Sequence, residues 1–292
     1  MKPHSNVVGA AIVKDGKVLA LRRSDGIEQV IHKFEFAGGK VKEGETNEQA
    51  LIRECREELS LEIEVGDLLN TVEYEYPELS ITLSVYFVKP LSDYTLNVHE
   101  EERWIDCDKL EYGDWAPADK YFLGILKQGF VKARNVENAE HFALVNSIAR
   151  EVMHETFDAI SPEGQIDYVI NLYLSPQAIE ANIAQSGYVY KLVYFNGEVA
   201  GFYAYCPAKN FQSTFSEGTF LSKLYLKKFA RGKKIITKIL SSLSRPVYLT
   251  VKREDVKSVN LFKHYGFKIQ QNLSADIGNG YILDDFLMGL GK

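Results

Sequence analysis

The sequence is poor in cysteine and lacks long apolar runs. Its 292 residues include three widely separated cysteines, Cys55, Cys107 and Cys206. This odd number forms neither a disulfide framework nor the spacing of a zinc site, which favours a reducing compartment and predicts a cytoplasmic protein. No segment approaches the roughly 18 apolar residues of a membrane-spanning helix, and the apolar stretch near the N-terminus is too short for a signal peptide. We therefore expect no membrane partner.

A positive net charge is also absent. The chain has 34 lysines and arginines against 40 aspartates and glutamates, which gives a formal net charge of -6 at pH 7. Proteins that bind nucleic-acid polymers usually carry a basic face that attracts phosphate, so this balance argues against such a partner. Free nucleotides are compatible with an acidic protein, because a bound metal ion can hold their phosphates.

The sequence does contain the material of two globular domains. Hydrophobic residues make up 46% and charged residues 25% of the chain, and the length suits two domains. Strand and helix patterns occur in both halves, but the patterning is weak between residues 128 and 140. The sequence thus predicts an α/β (α+β) protein with domains at residues 1–130 and 140–292.

An acidic face on a predicted helix is the main feature of the first half. Glu54, Glu57 and Glu58 are spaced i, i+3 and i+4, which places them on one side of a helix. Two unit charges about 4 Å apart repel by roughly 4 kcal/mol at an effective dielectric constant near 20. The pattern therefore predicts a bound cation at this face.

The rest of this segment has the signals of a docked helix. Thr46 followed by Gln49 is a capping-box pattern at its start. Leu51, Cys55 and Leu59 form an apolar stripe beside the acidic face. Docking through this stripe would leave the carboxylates at a rim.

The helix and the glycines before it match a longer spacing. From Gly39, five residues lead to Glu45 and seven more lead to Arg53, directly before the acidic face. This spacing resembles the Nudix box, G-x5-E-x7-R-E-U-x-E-E-x-G-U, in which U is aliphatic. Cys55 replaces an aliphatic residue and Ser60 replaces a glycine, but no ligand position is changed. A solvated acidic helix is the alternative, and the full register argues against it.

The resemblance implies a fold, a metal and a set of roles. The fold would be an α/β/α sandwich with a mixed sheet, and the metal Mg²⁺ or Mn²⁺, which prefer oxygen ligands. Arg53 would orient a glutamate, and Glu45 would brace the loop against the helix. The implied metal ligands are the Gly38 carbonyl and the carboxylates of Glu54, Glu57, Glu58 and Glu101. The candidates for the general base are Glu54, Glu57, Glu101 and Glu102, with Glu101 preferred.

The resemblance extends over nearly all of residues 5–127. The stretches KFEFAGGK, EYEYPELSITL and WAPAD look like those of the MutT branch, whose members hydrolyse nucleoside triphosphates to the monophosphate and pyrophosphate. Ala37 replaces the proline that is usual before the glycines. Gly39 would let a ligand approach the backbone, and Arg23 would contact a phosphate, with a plain surface role as its alternative.

Asp119 matches the position from which this branch reads the base, where some members have asparagine. An amide can donate and accept, which suits 8-oxoguanine. A carboxylate only accepts, which suits the exocyclic amine of cytosine, unless a raised pKa keeps it protonated and suits it to an oxidised purine. The base is therefore left open between oxidised guanine and cytosine, and a helix N-cap is the structural alternative for Asp119.

The second half carries another resemblance. TFLSKLYLKKFARGKKIITKIL and VNLFKHYGF look like elements of GNAT acetyltransferases, which implies a GNAT fold with a mixed, mostly antiparallel sheet over about residues 140–290. In that family a glycine-rich loop holds the pyrophosphate of acetyl-CoA at a helix N-terminus. The matching cofactor-binding residues are Arg231, Gly232, Lys233, Lys234, Ile235 and Ile236.

Two departures bear on the activity of this half. Lys234 and Ile236 stand where the family has glycine or another small residue. Phe262 stands where many members have a tyrosine that protonates the departing thiolate, and a phenyl ring cannot donate that proton.

These patterns predict a metal-dependent nucleoside triphosphate pyrophosphohydrolase fused to an acetyl-CoA-dependent N-acetyltransferase that acts on an unknown amine. One alternative makes the second half a catalytically weak acetyl-CoA-binding or scaffolding module. Another makes N-acetyl transfer to a small amine the main activity.

Overall fold

The computed structural model describes residues 2–212, 215 and 217–291. The chain divides into two compact units, one comprising Met1–Lys132 and Tyr194–Glu198 and the other Ala133–Val193 and Val199–Lys292. The weakly patterned stretch 128–140 contains a strand whose residues are mostly exposed, so it shows no apolar alternation in the sequence. Across the described residues, no helix is long and apolar enough to cross a membrane.

The first unit is built on a mixed sheet. The strand order is β3-β2-β1-β6-β5, with β4 also paired to β1 and β7 to β2. Strands β1 and β6 are parallel, whereas the other pairs are antiparallel. Its elements are β1 (His4–Lys14), β2 (Lys17–Arg22), β3 (Phe34–Glu35), β4 (Ala37–Lys40), α1 (Asn47–Leu59), β5 (Ile63–Glu75), β6 (Ser80–Pro90), β7 (Glu101–Asp106) and α2 (Lys120–Gln128).

Both faces of this sheet are covered by helices. Alternate residues of a strand point to opposite faces. In β1, Val8, Ala10 and Ile12 pack with the apolar stripe of α1, whereas Ala11 and Val13 pack with the buried residues of α2. The first unit is therefore the α/β/α sandwich that the sequence predicted, and its central helix presents the acidic face at a rim.

The second unit contains another mixed sheet, with the strand order β13-β14-β12-β11-β10-β9-β8. Strands β11 and β12 are parallel, whereas β10–β11, β12–β14 and β13–β14 are antiparallel. The predicted α/β class with mixed sheets is confirmed. The elements are β8 (Val131–Asn135), α3 (Ala139–Phe157), α4 (Gln165–Tyr173), α5 (Pro176–Ser186), β9 (Val189–Phe195), β10 (Glu198–Pro207), α6 (Ala208–Phe211), β11 (Thr219–Leu226), α7 (Ile235–Ser242), β12 (Val247–Lys252), α8 (Val256–His264), β13 (Lys268–Gly278) and β14 (Tyr281–Leu290).

Candidate active site

Arg53 ties the acidic helix to the loop before it. The guanidinium donates from Nε and Nη2 to the two carboxylate oxygens of Glu45, at 2.7 and 2.9 Å. Nη1 donates to Glu54 Oε1 at 2.7 Å and to Glu57 Oε2 at 3.2 Å, and Nη2 also donates to the Lys40 carbonyl at 3.0 Å. A forked guanidinium suits this bidentate pairing better than an ammonium group would. The structure thus brings four of the predicted site residues together.

Two glycines before α1 leave room for groups that a side chain would displace. Gly38 has a φ of 153°, and a Cβ there would lie 2.1 Å from the Val8 carbonyl oxygen. A Cβ on Gly39 would lie 2.5 Å from the carboxyl carbon of Glu54. The Gly38 N–H also donates to Glu58 Oε2 at 2.9 Å. Backbone packing therefore requires Gly38, whereas the Glu54 carboxylate requires Gly39.

The ends of α1 explain one match and one departure in the motif. The capping box is present, since Gln49 N donates to Thr46 Oγ1 at 3.2 Å and Thr46 N donates to Gln49 Oε1 at 2.9 Å. Ser60, which stands at the usual glycine, has a φ of 50°, in the left-handed region that favours glycine. Asn97 Nδ2 donates to Ser60 Oγ at 2.9 Å, which gives the serine side chain a partner.

The carboxylates of this site differ in protonation. Hydrogen bonds from Arg53 are the main cause that lowers the pKa of Glu45 to about 2. Burial raises the pKa of Glu58 to about 7, against the opposing effect of nearby His99. The Glu57 side chain is 53% exposed, compared with 14% for Glu54. One helix face therefore holds two enclosed carboxylates and one at the rim.

The donor groups fit a hard divalent cation. Within residues 2–212, 215 and 217–291, no three carboxylate, thiol or imidazole groups converge closely enough to hold an ion. Arg53 supplies the positive charge instead, through its contacts with Glu54 and Glu57. The oxygen-only chemistry of the face, and the space that Gly39 leaves beside Glu54, suit Mg²⁺ or Mn²⁺.

Glu101, the preferred candidate for the base and a predicted metal ligand, does not join this group. It accepts from Arg22 Nε at 2.8 Å and from Arg103 Nε at 2.5 Å, and both guanidinium groups lie over the Phe34 ring. Trp104, two residues after Glu102 in β7, lies on the opposite face of the strand from Glu101 and its two arginines. 

The strand geometry explains this separation. Trp104 packs with the apolar cluster of α1, and alternate residues of β7 face opposite sides, so Glu101 faces away from α1. Hydrogen bonds from Arg103 and Arg22 lower the pKa of Glu101, which makes it a weaker base. Glu102, the alternative, accepts from the Tyr94 hydroxyl at 2.8 Å.

Asp119 lies on the other side of the sheet. It occupies the residue before α2, but its side chain does not cap that helix. Instead Oδ1 accepts from Phe36 N at 3.1 Å, and the Phe36 ring packs on Trp115 with ring centres 5.1 Å apart. Burial, followed by the negative charge of Glu35, raises the pKa of Asp119 to about 8. A protonated carboxyl both donates and accepts hydrogen bonds.

Comparisons with known proteins identify the family of the first half of the chain. Residues 2–124 match the NUDIX domain family. A MutT protein structure from Methanosarcina mazei Go1 is 26% identical, with a TM-score of 0.40 over 44% of this chain and 95% of that one. The 8-oxo-dGTP diphosphatase of Escherichia coli K12 is 30% identical over 129 residues, 44% of this chain and 99% of that protein. The CTP pyrophosphohydrolase of the same organism is 40% identical over 116 residues, 39% of this chain and 84% of that protein. The chain belongs to the Nudix family.

It is accordingly an enzyme of the Nudix pyrophosphohydrolase type, and Nudix hydrolases generally use a divalent metal ion such as Mg²⁺ or Mn²⁺. The family match ends at residue 124. It therefore covers most of the first unit, called the Nudix domain below, and gives no support for acetyl-CoA in the second unit.

Sequence reasoning missed two partly buried residues of the Nudix domain, Glu35 and His99. Glu35 accepts from Arg23 Nη1 at 2.8 Å, and its other oxygen lies 3.1 Å from His99 Nε2. The His99 side chain is 3% exposed, and its Nδ1 has no hydrogen-bond partner among the described residues. These contacts hold Arg23, the predicted phosphate contact, against β3. One feature of the sequence could have indicated Glu35. It is a charged residue between the two phenylalanines of KFEF, and a charged residue is unusual in a buried strand.

The second unit places the predicted cofactor-binding residues 231–236 between β11 and α7. Arg231 Nη2 donates to Glu155 Oε2 at 2.9 Å, so its side chain is engaged within the unit. Gly232 has a φ of 76°, a conformation that glycine adopts without strain. Helix α7 begins at Ile235, which is fully buried. The structure describes a turn into a helix here.

A cavity of about 560 Å³ lies in the second unit. Its walls come from α3, α4, α5, α6 and α8 and from β9, β11, β12 and β14, and they mix aromatic with polar side chains. Phe262, at the expected tyrosine position, is one of the lining residues. The size is that of a site for a small organic molecule.

Proposed function

We propose that the Nudix domain hydrolyses a nucleoside triphosphate to the nucleoside monophosphate and pyrophosphate. The observation that carries this proposal is the acidic face of α1, with Glu54 enclosed beside Gly39 and tied to Arg53. Relatives named CTP pyrophosphohydrolase and 8-oxo-dGTP diphosphatase support a nucleotide substrate.

The residues of the site take distinct roles in this proposal. A bound Mg²⁺ or Mn²⁺ would neutralise the phosphate charge so that water can attack phosphorus. Arg53 positions Glu54 and Glu57, and Glu45 fixes Arg53 to the loop. Because Glu101 is paired with two arginines, activation of water falls to Glu54, Glu57 or Glu102. The Gly38 carbonyl and the carboxylates of Glu54, Glu57 and Glu58 would be the ligands of the cation.

For the base, we favour an oxidised guanine over cytosine. The pKa of Asp119 is raised to about 8, which supports a carboxyl that is protonated at neutral pH. Such a carboxyl can both donate and accept a hydrogen bond, and the edge of 8-oxoguanine requires both. The relative of 40% identity is named for CTP, which keeps the cytosine nucleotide as the second candidate.

Replacement of Glu57 by glutamine tests the metal site. Pyrophosphate release with magnesium should fall by at least about a hundredfold, because an amide is a poor ligand for a hard cation. Glu48→Gln, at an exposed position in the first turn of the same helix, is the matched control and should keep full activity. Undiminished release by Glu57→Gln would contradict the proposed site.

A substrate panel tests the choice of base. Purified chain with magnesium should release pyrophosphate faster from 8-oxo-dGTP than from CTP, and ADP-ribose should be a poor substrate. A preference for CTP would favour an ionised Asp119 that accepts from the cytosine amine.

The way β11 and β12 separate favours a second candidate function, N-acetyl transfer from acetyl-CoA by the second unit. These strands pair only through Thr219–Leu221 and Val247–Leu249. However, β11 continues to Leu226 and β12 to Lys252, and the cavity is lined by these diverging segments. Backbone groups on separated strands can hydrogen-bond an extended amide ligand, and the pantetheine arm of acetyl-CoA is such a ligand.

In this transfer an amine nitrogen would bond to the acetyl carbonyl carbon as the carbon–sulfur bond breaks, and a proton would pass from the amine to the thiolate. Phe262 cannot supply that proton, so we expect slow transfer. Thiol release across an amine panel measures turnover, and calorimetry measures acetyl-CoA binding. Binding without turnover would favour a sensing or scaffolding module, and absence of binding would remove acetyl-CoA from the proposal.

The predicted cytoplasmic location is part of the same proposal. Support comes from the three cysteines, which are buried and form no disulfide bond among the described residues, as in proteins of a reducing compartment.

A further inference from the structure

Two oppositely charged side chains line the cavity of the second unit, Lys223 of β11 and Asp285 of β14. They come from strands separated in the sheet by β12, and each is close enough to affect the titration of the other. Neither forms an ion pair with the residues that the structure describes. Each group supports the ionised form of the other through space, but no direct contact between them offsets the cost of burying two charges.

A β-bulge positions Lys223. In the pairing of β10 with β11, Ala204 lies opposite Lys223 and Tyr205 lies opposite Leu221, so Ser222 has no partner. A bulge of this kind changes the direction of neighbouring side chains. As a result Ser222 and Lys223 both line the cavity. In a regular strand only every second side chain would face the cavity. The bulge thus brings the ammonium group of Lys223 to the cavity wall together with Ser222.

The contacts of Lys223 are weak ones for a charged group. Its Nζ lies 3.1 Å from Ser222 Oγ and 3.4 Å from the Ser222 carbonyl. It also lies 5.9 Å from the ring centre of Tyr173, which is near the limit for a cation–π contact. Burial lowers the pKa of Lys223, whereas burial raises the pKa of Asp285. A ligand with charges of opposite sign would favour the ionised form of both.

The other two charged residues of the cavity wall have partners of their own. Lys252 Nζ donates to Ser161 Oγ at 3.0 Å and to Gln165 Oε1 at 3.4 Å. Asp255 accepts from Ser258 N at 3.1 Å and caps α8. Lys252 is therefore held by two residues outside its own strand and Asp255 caps a helix, whereas Lys223 hydrogen-bonds only to the adjacent Ser222 among the described residues.

We propose that this cavity binds a free α-amino acid, with the ligand carboxylate on Lys223 and the ligand ammonium on Asp285. Tyr173, Tyr188 and Tyr225 would surround its side chain. Only one part of this inference rests on the proposed acetyl transfer, namely that the amino group of the bound amino acid is the acetyl acceptor. Binding itself requires no acetyl-CoA.

Calorimetry of the full chain without acetyl-CoA tests the ligand class. The probes are the twenty standard α-amino acids, each in parallel with its decarboxylated amine and its deaminated acid where these are soluble. At least one amino acid should bind with a dissociation constant below about 1 mM, and its two singly charged analogues should bind at least tenfold more weakly. If no amino acid binds, or if an analogue binds as well as its parent, the proposal is overturned, whatever the outcome of the thiol-release assay.

Two variants assign the contacts. Lys223→Met removes the charge and keeps the aliphatic stem, and Asp285→Asn keeps the shape of the carboxylate. Each should weaken binding of the amino acid at least tenfold, whereas Lys223→Met should hardly change binding of the decarboxylated amine. Lys268→Met, at an exposed position of β13, is the control and should bind like the parent chain.

The analogue comparison uses the unaltered chain, so a variant that fails to fold does not leave the proposal untested. Circular dichroism identifies such a variant. Unchanged binding by folded Lys223→Met or by folded Asp285→Asn would contradict the proposed contacts.

Discussion

Buried charge is handled differently in the two units. In the Nudix domain the guanidinium of Arg53 contacts Glu45, Glu54 and Glu57 within 3.2 Å, so the acidic face is partly neutralised by the chain itself. In the second unit Lys223 and Asp285 line one cavity without an ion pair between them. In our proposals, the first site would take a cation beside a resident arginine, and the second a ligand that carries one charge of each sign.

The two sites also differ in how the chain assembles them. The Nudix site comes from one loop and one helix, Gly38 to Glu58, whose spacing alone sets which groups meet. The cavity of the second unit needs a bulge in β11, the separation of β11 from β12, and β14 beyond them. The following predictions test whether the first site is as locally determined as this contrast indicates.

Gly38→Ala should have the largest effect. Its Cβ would lie 2.1 Å from the Val8 carbonyl oxygen, a clash with backbone that a side-chain rotation cannot relieve. We expect the free energy of unfolding to fall by about 3 kcal/mol or more in a denaturant titration. Gly44→Ala is the control, because Gly44 also has a positive φ, 83°, but open space around its Cβ position, so only about 1 kcal/mol should be lost. Equal losses in the two variants would show that packing against β1 is unimportant.

Gly39→Ala should damage the chemistry more than the fold. Its Cβ would displace the Glu54 carboxylate, which lies at the end of a flexible side chain. We expect pyrophosphate release to fall about 10- to 100-fold, with the free energy of unfolding within about 1 kcal/mol of the parent chain. Full activity in this variant would show that the position of Glu54 is not critical.

Phe262→Tyr tests the second unit. If acetyl transfer is limited by protonation of the thiolate, a phenol at this cavity wall should increase thiol release about tenfold. Tyr265→Phe is the control, because Tyr265 lies outside the cavity lining, and this variant should leave thiol release unchanged. A rise in both variants, or in neither, would argue against a missing proton donor.

Asp119→Asn should change the pH dependence of stability. Folding raises the pKa of Asp119 from 3.8 to about 8, so between these pH values the folded state keeps a proton that the unfolded state has lost. Its stabilising contribution is complete below pH 3.8 and is lost as pH rises to about 8. We expect a slope of at most about 1.4 kcal/mol per pH unit from this group, which Asp119→Asn removes. Exposed Asp114→Asn should keep the slope of the parent chain.

Much of the Nudix site could be read from the sequence, because the groups that meet are neighbours along the chain. The register from Gly39 to Glu58 placed Glu45 beside Arg53 and three carboxylates on one face, and the capping box at Thr46 is present. The preference for Glu101 was not supported, since strand alternation and two arginines decide its direction. Sequence position alone does not specify which face of a strand is turned toward a helix.

For this protein the sequence by itself determined the α/β class, the acidic helix with its arginine, and the Nudix resemblance. Only the tertiary structure decided that Gly38 is required by the Val8 carbonyl, that Asp119 is buried against Phe36, and that Glu35 holds Arg23. It also brought Lys223 and Asp285 to one cavity. The physical reason is that helix spacing acts over one or two turns, whereas burial, which shifts a pKa or leaves a charge unpaired, depends on strands that are distant in sequence.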